Sequence, residues 1–279
     1  MQKTLKKRVE YKAKGLHTGR ETRLAFLPAP PDSGIRFKRI DLPGKPVIPA
    51  HIDFFREMPF MCSCVSNKDG VFVQLIEHLM ACFHAFVIHN LIVELDNEEP
   101  PFEDGSASFP VSMILDAGIE EQNAPDRVVS VDKPLVYKKD DIELSAYPSD
   151  LFRVTFFASY PNPAVGDQSF SLEVTPESFM KEIAPARSFC FENDVEVMTK
   201  NDLLKGATEK SALVFGKEGL LNGALRFPDE PVRHKIMDII GDLYLLGAPV
   251  HAHITANKSG HFSHARFVKK WKGEIENHE

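Results

Sequence analysis

The sequence predicts an α+β protein made of two halves that share one strand–helix plan. Three observations predict it. Short β-rich runs open each half. In each half a stretch with helical periodicity then feeds another β-rich run. Between them Gln122-Asn123-Ala124-Pro125-Asp126 reads as a linker, which divides the chain into residues 1–122 and 127–279.

In the first half, Arg23-Leu24-Ala25-Phe26-Leu27 and Gly34-Ile35-Arg36-Phe37 are strands separated by a Pro-rich turn cluster. Leu75, Leu79, Cys82, Phe83 and Phe86 then fall on one helical face, and the strand Leu91-Ile92-Val93-Glu94-Leu95 follows. A Pro- and acid-rich loop over residues 97–105 precedes a second helix expected over residues 111–121. In the second half, residues 128–131 and 152–157 are strands. Residues 231–247 form a long amphipathic helix that starts near Pro231 and stops at Gly247, and a strand over residues 250–255 follows. The repetition is one of architecture, since the halves show no residue-level repeat.

Composition narrows the function. A chain of 279 residues, 43% of them hydrophobic, has material for a large core, so it is not a disordered chain. Its net charge of -7 argues against a general nucleic-acid binder. The basic N-terminus leads into no apolar run, and nothing approaches the ~20 apolar residues that span a bilayer, so a cytoplasmic protein without membrane insertion is expected. Four cysteines, Cys62, Cys64, Cys82 and Cys190, are expected to be free thiols, and one Cys-x-Cys without a second such pair is not a structural zinc pattern.

Three segments could carry chemistry. His234 and Asp238, four residues apart on the second long helix, project from one face with the bite of a metal site, and Asp242 continues the row. An ordinary solvated face has the same spacing. Glu77-His78 lies among apolar residues, where burial demands a partner: a metal on His78 and proton transfer by Glu77 would account for both, as would plain hydrogen bonds at a helix edge. Lys258-Ser259-Gly260-His261 sets a lysine and a histidine in a turn, suited to an anion beside a proton donor or to a bare surface loop.

Taken in order, these segments resemble the UDP-3-O-acyl-N-acetylglucosamine deacetylases of lipid A synthesis. The motifs are Gly15-Leu16-His17-Thr18-Gly19, Glu77-His78-Leu79, Asp104-Gly105-Ser106-Ala107, Ala186-Arg187-Ser188-Phe189, Gly223-Ala224-Leu225-Arg226-Phe227, Pro231-Val232-Arg233-His234-Lys235, Asp238 with Ile240-Gly241-Asp242-Leu243, and Lys258-Ser259-Gly260-His261. The resemblance implies a two-layer sandwich with its active site at the interface of the two domains. It implies zinc, with iron(II) as the alternative ion, on His78, His234 and Asp238, with Glu77 as general base. It implies a His261 kept protonated by Asp242, and a Ser188 hydroxyl that donates to the oxyanion. Lys235, Lys258, Phe189, Phe191 and Leu16 are then the substrate contacts, and residues 192–216 form the acyl channel. The substrate implied is a UDP-linked acylated glucosamine, hydrolysed by a monomer. No room is expected for a fused dehydratase domain.

Some positions depart from that pattern. Ser188 replaces a threonine, Gly206-Ala207-Thr208 replaces a glycine pair and serine, and the stretch after His261 lacks an asparagine. His17, His51, His84, His89, His251, His253, His264 and His278 are expected to be structural or exposed. Two rival functions are a zinc amidase for another acylated amino sugar and a non-catalytic nucleotide-sugar-binding paralogue. The presence of Glu77, Asp242 and His261 counts against the second.

Overall fold

The computed structural model describes residues 1–60 and 62–276, so His278 lies outside the described residues. Each half carries a sheet, and the two sheets repeat one strand order. In the first, Val9–Lys14 pairs antiparallel with Glu21–Pro28, which pairs antiparallel with Leu91–Leu95. On its other side Leu91–Leu95 runs parallel to Ile35–Arg39, whose antiparallel mate Val47–Pro49 forms the edge. In the second, Leu135–Lys139 and Ile142–Pro148 form the hairpin, Val250–Asn257 takes the centre, and Arg153–Ser159 lies parallel to it with Asp167–Glu173 outside. Val129–Ser130 adds a short parallel pairing at the start of Val250–Asn257.

Parallel neighbours need a crossover, and a helix belongs to each: Glu77–Ala85 before Leu91–Leu95, and Glu230–Leu243 before Val250–Asn257. A further helix follows each central strand, Ser108–Ala117 in the first half and His261–Glu276 in the second. The strands alternate as half-buried strands should: Val154, Phe156 and Ala158 face inward while Phe157 faces solvent. The inward faces and the helices share a continuous apolar core that contains Phe26, Phe83, Ile239, Ile240, Phe156 and Trp271. The Glu77–Ala85 and Glu230–Leu243 helices pack against each other in this core. Every residue of Glu77–Ala85 is buried, so its Glu77, His78 and His84 must find partners inside the protein.

Three expected elements change at their ends. Periodicity puts Leu75 on the first helix, but its φ of +56° is left-handed, and the helix starts at Glu77 and ends before Phe86. The second helix stops at Ala117. Gly118 turns the chain with φ +67°, and Ile119–Glu121 becomes a strand paired with Lys3–Leu5. The long helix of the second half covers Glu230–Leu243, tightens to a 3₁₀ turn over Tyr244–Leu246, and ends at Gly247 with φ +86°. Among the described residues no helix is long and apolar enough to cross a membrane.

Candidate active site

The two packed helices bring the separated motifs together. Glu77 and His78 open one helix. His234, Asp238 and Asp242 form a row on the other, one turn apart, and all five side chains are buried. His261, the first residue of the last helix, completes the group.

His78 Nε2 and His234 Nε2 lie 3.8 Å and 3.4 Å from Asp238 Oδ1. The two rings meet nearly edge to face, with centroids 5.0 Å apart. Tetrahedral coordination at zinc's usual bond lengths sets ligand atoms roughly 3.3 Å apart, so the three atoms need only a small adjustment to share one ion. Two further features fit a cation. Asp238 Oδ1 is buried and has no hydrogen-bond partner among the described residues. His234 Nδ1 lies 3.3 Å from the Ala186 carbonyl, so a proton there leaves the Nε2 lone pair free for a metal. Burial, with the neighbouring His234, pushes His78 down to about 3, which keeps it a neutral ligand. Lys235 Nζ donates to the other oxygen of Asp238 at 2.6 Å. Burial works against the Asp238 charge, but Lys235 and the surrounding imidazoles hold the carboxyl well below its usual range.

The acid–base groups flank this triad. Burial raises Glu77 to about 7, opposed by His261 and supported by Asp238 and Asp242. Burial alone would neutralise His261, but the charges of Asp242 and Asp238, with the hydrogen bond to Asp242, raise it to about 9. Its Nδ1 donates to Asp242 Oδ2 at 2.8 Å. The same oxygen accepts from His264 Nδ1 at 2.7 Å, and Ser259 Oγ lies 2.9 Å from His264 Nε2. Asp242, His261 and His264 also have metal-ligating residue types. Their closest N···O separations are hydrogen-bond lengths, too short for two ligands of one ion, so protons occupy these contacts.

A cavity of about 470 Å³ opens on the site. Glu77, His78, His234, Lys235, Asp238 and His261 line it, together with Leu16, Ser188, Phe189 and Phe191. The Ser188 hydroxyl donates to the Gly105 carbonyl at 3.1 Å. Lys258 is turned away: its ammonium pairs with exposed Asp141 at 3.0 Å, on a backbone of left-handed φ. The segment 192–216 divides. Val195, Met198, Leu204 and Val214 face the cavity, Leu213 and Phe215 pack with Val165, and Val197 is exposed. Its loop docks on the first half, where Gly206 N donates to the Leu16 carbonyl at 2.9 Å. A Cβ on Gly206 would stand 2.0 Å from the Gly15 oxygen.

Sequence reading missed two residues here: Ser63 touches Glu77 and Asp242, and Tyr160 lines the cavity. His264, expected to be structural or exposed, is buried against Asp242. The His261-x-x-His264 spacing could have flagged this contact, because residues three apart share a helix face. His84 is a structural histidine: it stacks between Phe152 and Tyr244, and its nitrogens meet the Ile240 carbonyl and the Val250 N–H. All four cysteines are free, and burial raises the Cys62 thiol well above its ordinary value.

Two imidazoles and a carboxylate around an open cavity, with a raised carboxylic acid and a charged histidine beside them, define a metal-dependent hydrolase. The chain belongs to the UDP-3-O-acyl N-acetylglycosamine deacetylase family, whose model matches residues 2–272. It is 38% identical to the UDP-3-O-acyl-N-acetylglucosamine deacetylase of Thermodesulfovibrio yellowstonii over 271 residues, which cover 96% of this chain and 91% of that protein. It is 39% identical to the deacetylase of the same name from Chlamydia abortus over 276 residues, 96% of each chain. A third relative of that name, from Idiomarina loihiensis, is 37% identical over 93% of this chain and 86% of its own length.

Proposed function

We propose that this chain hydrolyses the N-acetyl amide of a UDP-3-O-(3-hydroxyacyl)-N-acetylglucosamine, releasing acetate and the free amine for lipid A synthesis, with zinc as its metal. The observation that carries this reading is the convergence of His78, His234 and the unpartnered Asp238 Oδ1, with Glu77 and His261 beside them. A zinc ion held by these three residues supplies a Lewis acid for the amide carbonyl and acidifies the attacking water; iron(II) suits the same donors.

The chain's own groups handle the protons. Glu77, raised to about 7, takes a proton from water as its oxygen bonds to the acetyl carbon. His261 enters charged, held by Asp242, so its cation faces the developing oxyanion. As the C–N bond breaks, His261 gives its Nε2 proton to the sugar nitrogen. Ser188 contributes a further donor once its hydroxyl rotates away from Gly105. Lys235 keeps Asp238 ionised and faces the cavity beside the sugar, while Lys258 reaches the diphosphate after leaving Asp141. Phe189 and Phe191 offer apolar surface near the nucleotide, and Leu16 with the inserted segment takes the acyl chain.

We read the protein as two domains, residues 1–122 and 127–279, joined by this site, and as a monomer. A nucleotide-sugar substrate supports a cytoplasmic site for the reaction. The test is acetate release by purified protein before chelation, after chelation and after zinc is restored. Turnover lost on chelation and regained with zinc supports the reading. Folded, zinc-loaded protein that releases no acetate from this substrate overturns it.

A further inference from the structure

Ser63 belongs to none of the motifs that point to the active site, yet it touches three of the site's ionisable groups. It is buried, just ahead of the strand Cys64–Ser66 whose hairpin with Phe72–Gln74 leads to the Glu77–Ala85 helix, and its carbonyl accepts from Ile76 N at 3.4 Å. Its backbone N–H donates to Glu77 Oε2 at 3.0 Å. Its hydroxyl donates to Asp242 Oδ1, and Ser63 Oγ also lies 3.3 Å from His261 Nδ1. Asp242 Oδ2 is already occupied by His261 and His264, which come from the second half. Among the described residues, Ser63 is the only hydrogen-bond donor that the first half sends to Asp242.

Two consequences follow from this placement. An anion buried without enough donors is costly, so the hydroxyl completes the hydrogen-bonding shell of Asp242. One short residue also ties the carboxylate on the first helix to the Asp242–His261 pair on the second half, so their spacing depends on it. We propose that Ser63 is a positioning residue for the deacetylation, locking the Glu77 carboxylate and the Asp242–His261 pair in register across the interface. The proposal rests on the hydrolytic reading above.

Ser63→Ala removes one oxygen and keeps the N–H that holds Glu77. The expected result is a fall in kcat of roughly 10- to 100-fold, the range seen when a residue supporting a site's working groups is removed. KM and bound metal should stay near wild type, because the hydroxyl faces neither the cavity nor the triad, while the thermal midpoint should fall by a few degrees because Asp242 loses a donor. Ser63→Thr keeps the hydroxyl and should restore most of the kcat. An unchanged kcat in Ser63→Ala overturns the proposal, as does a loss that falls on KM or metal content instead. A folded Ser63→Thr protein as slow as Ser63→Ala overturns it too.

Proton NMR of the metal-free protein decides the point without turnover. The His261 Nδ1–H resonance, assigned by its loss in His261→Gln, should shift in Ser63→Ala, and an unmoved resonance sinks the idea. If wild-type protein released no acetate, the hydrolytic reading would fail, and this spectrum alone would still show whether Ser63 sets the Asp242–His261 pair.

Discussion

Gly241 lies against the backbone carbonyl of Glu77: a Cβ on Gly241 would stand 2.0 Å from that oxygen and 3.0 Å from Ala81 N. The two helices therefore pack close enough that only hydrogen fits between them at this point. On an open helix, alanine in place of glycine would gain about 1 kcal/mol. Here the contact is backbone, which cannot swing aside, so Gly241→Ala should cost about 1–3 kcal/mol. It should also lower kcat, because Glu77 sits on the displaced turn. Thermal unfolding with steady-state kinetics measures both, and an unchanged midpoint would contradict the packing described.

Glu77 and His78 are neighbours in sequence, and the proposed reaction gives them separable tasks. Glu77→Ala should keep the metal and lose turnover by about 10²–10⁴-fold, the usual contribution of a general base. His78→Ala should lose the metal itself. Metal content after gel filtration distinguishes them, and a fully active Glu77→Ala protein would sink the mechanism.

The pH dependence follows from the two raised groups. With Glu77 near 7 and His261 near 9, kcat/KM should be bell-shaped, rising as Glu77 ionises and falling as His261 loses its proton. A bound cation beside them favours deprotonation and moves both limbs to lower pH. Stability carries its own sign. The folded His261 holds its proton more tightly than an ordinary histidine at 6.5, so its contribution is complete below pH 6.5 and is lost as pH rises through about 9. Denaturant titrations of metal-free wild type and His261→Gln should converge toward alkaline pH, and parallel curves would remove the His261–Asp242 pair from the account.

Glu230 is fully buried and accepts from Arg187 N, Nε and Nη2 and from Arg226 N. Glu230→Ala leaves the largely buried Arg187 guanidinium without its partner, at a cost of roughly 3–5 kcal/mol. The lost cluster also anchors the residue next to Ser188. A midpoint within error of wild type would show that Arg187 finds another acceptor.

The loop at Gly206 seals one wall of the cavity against Gly15. Gly206→Ala should lift this loop, raising KM for a long-chain acyl substrate more than for a short-chain one. Equal effects on both would place the acyl chain elsewhere.

Much of the fold is legible in local sequence because burial enforces periodicity. Residues 91–95 and 250–255 read as strands, the second extending to Asn257 in the structure, and Gly247 marks its helix end. Ile119–Glu121 was misread because its partner, Lys3–Leu5, lies over a hundred residues away, and no window of sequence contains that pairing. The site follows the same rule. The His234–Asp238 spacing suits a solvated face as well as a metal, and only the packing of a second helix against it decides. Ser63 left no trace at all, since a serine between two cysteines has no pattern until Glu77 and Asp242 close around it.

Because the triad draws on both packed helices, its completion is late in the life of the chain. His78 leaves the ribosome early, but a nascent chain has no second or third ligand until residues 234 and 238 emerge, and no His261 until later still. Until then the proposed site has His78 alone, one donor where an ion needs several. Loading at the proposed site would then be a final act of maturation, possible only once both halves are made.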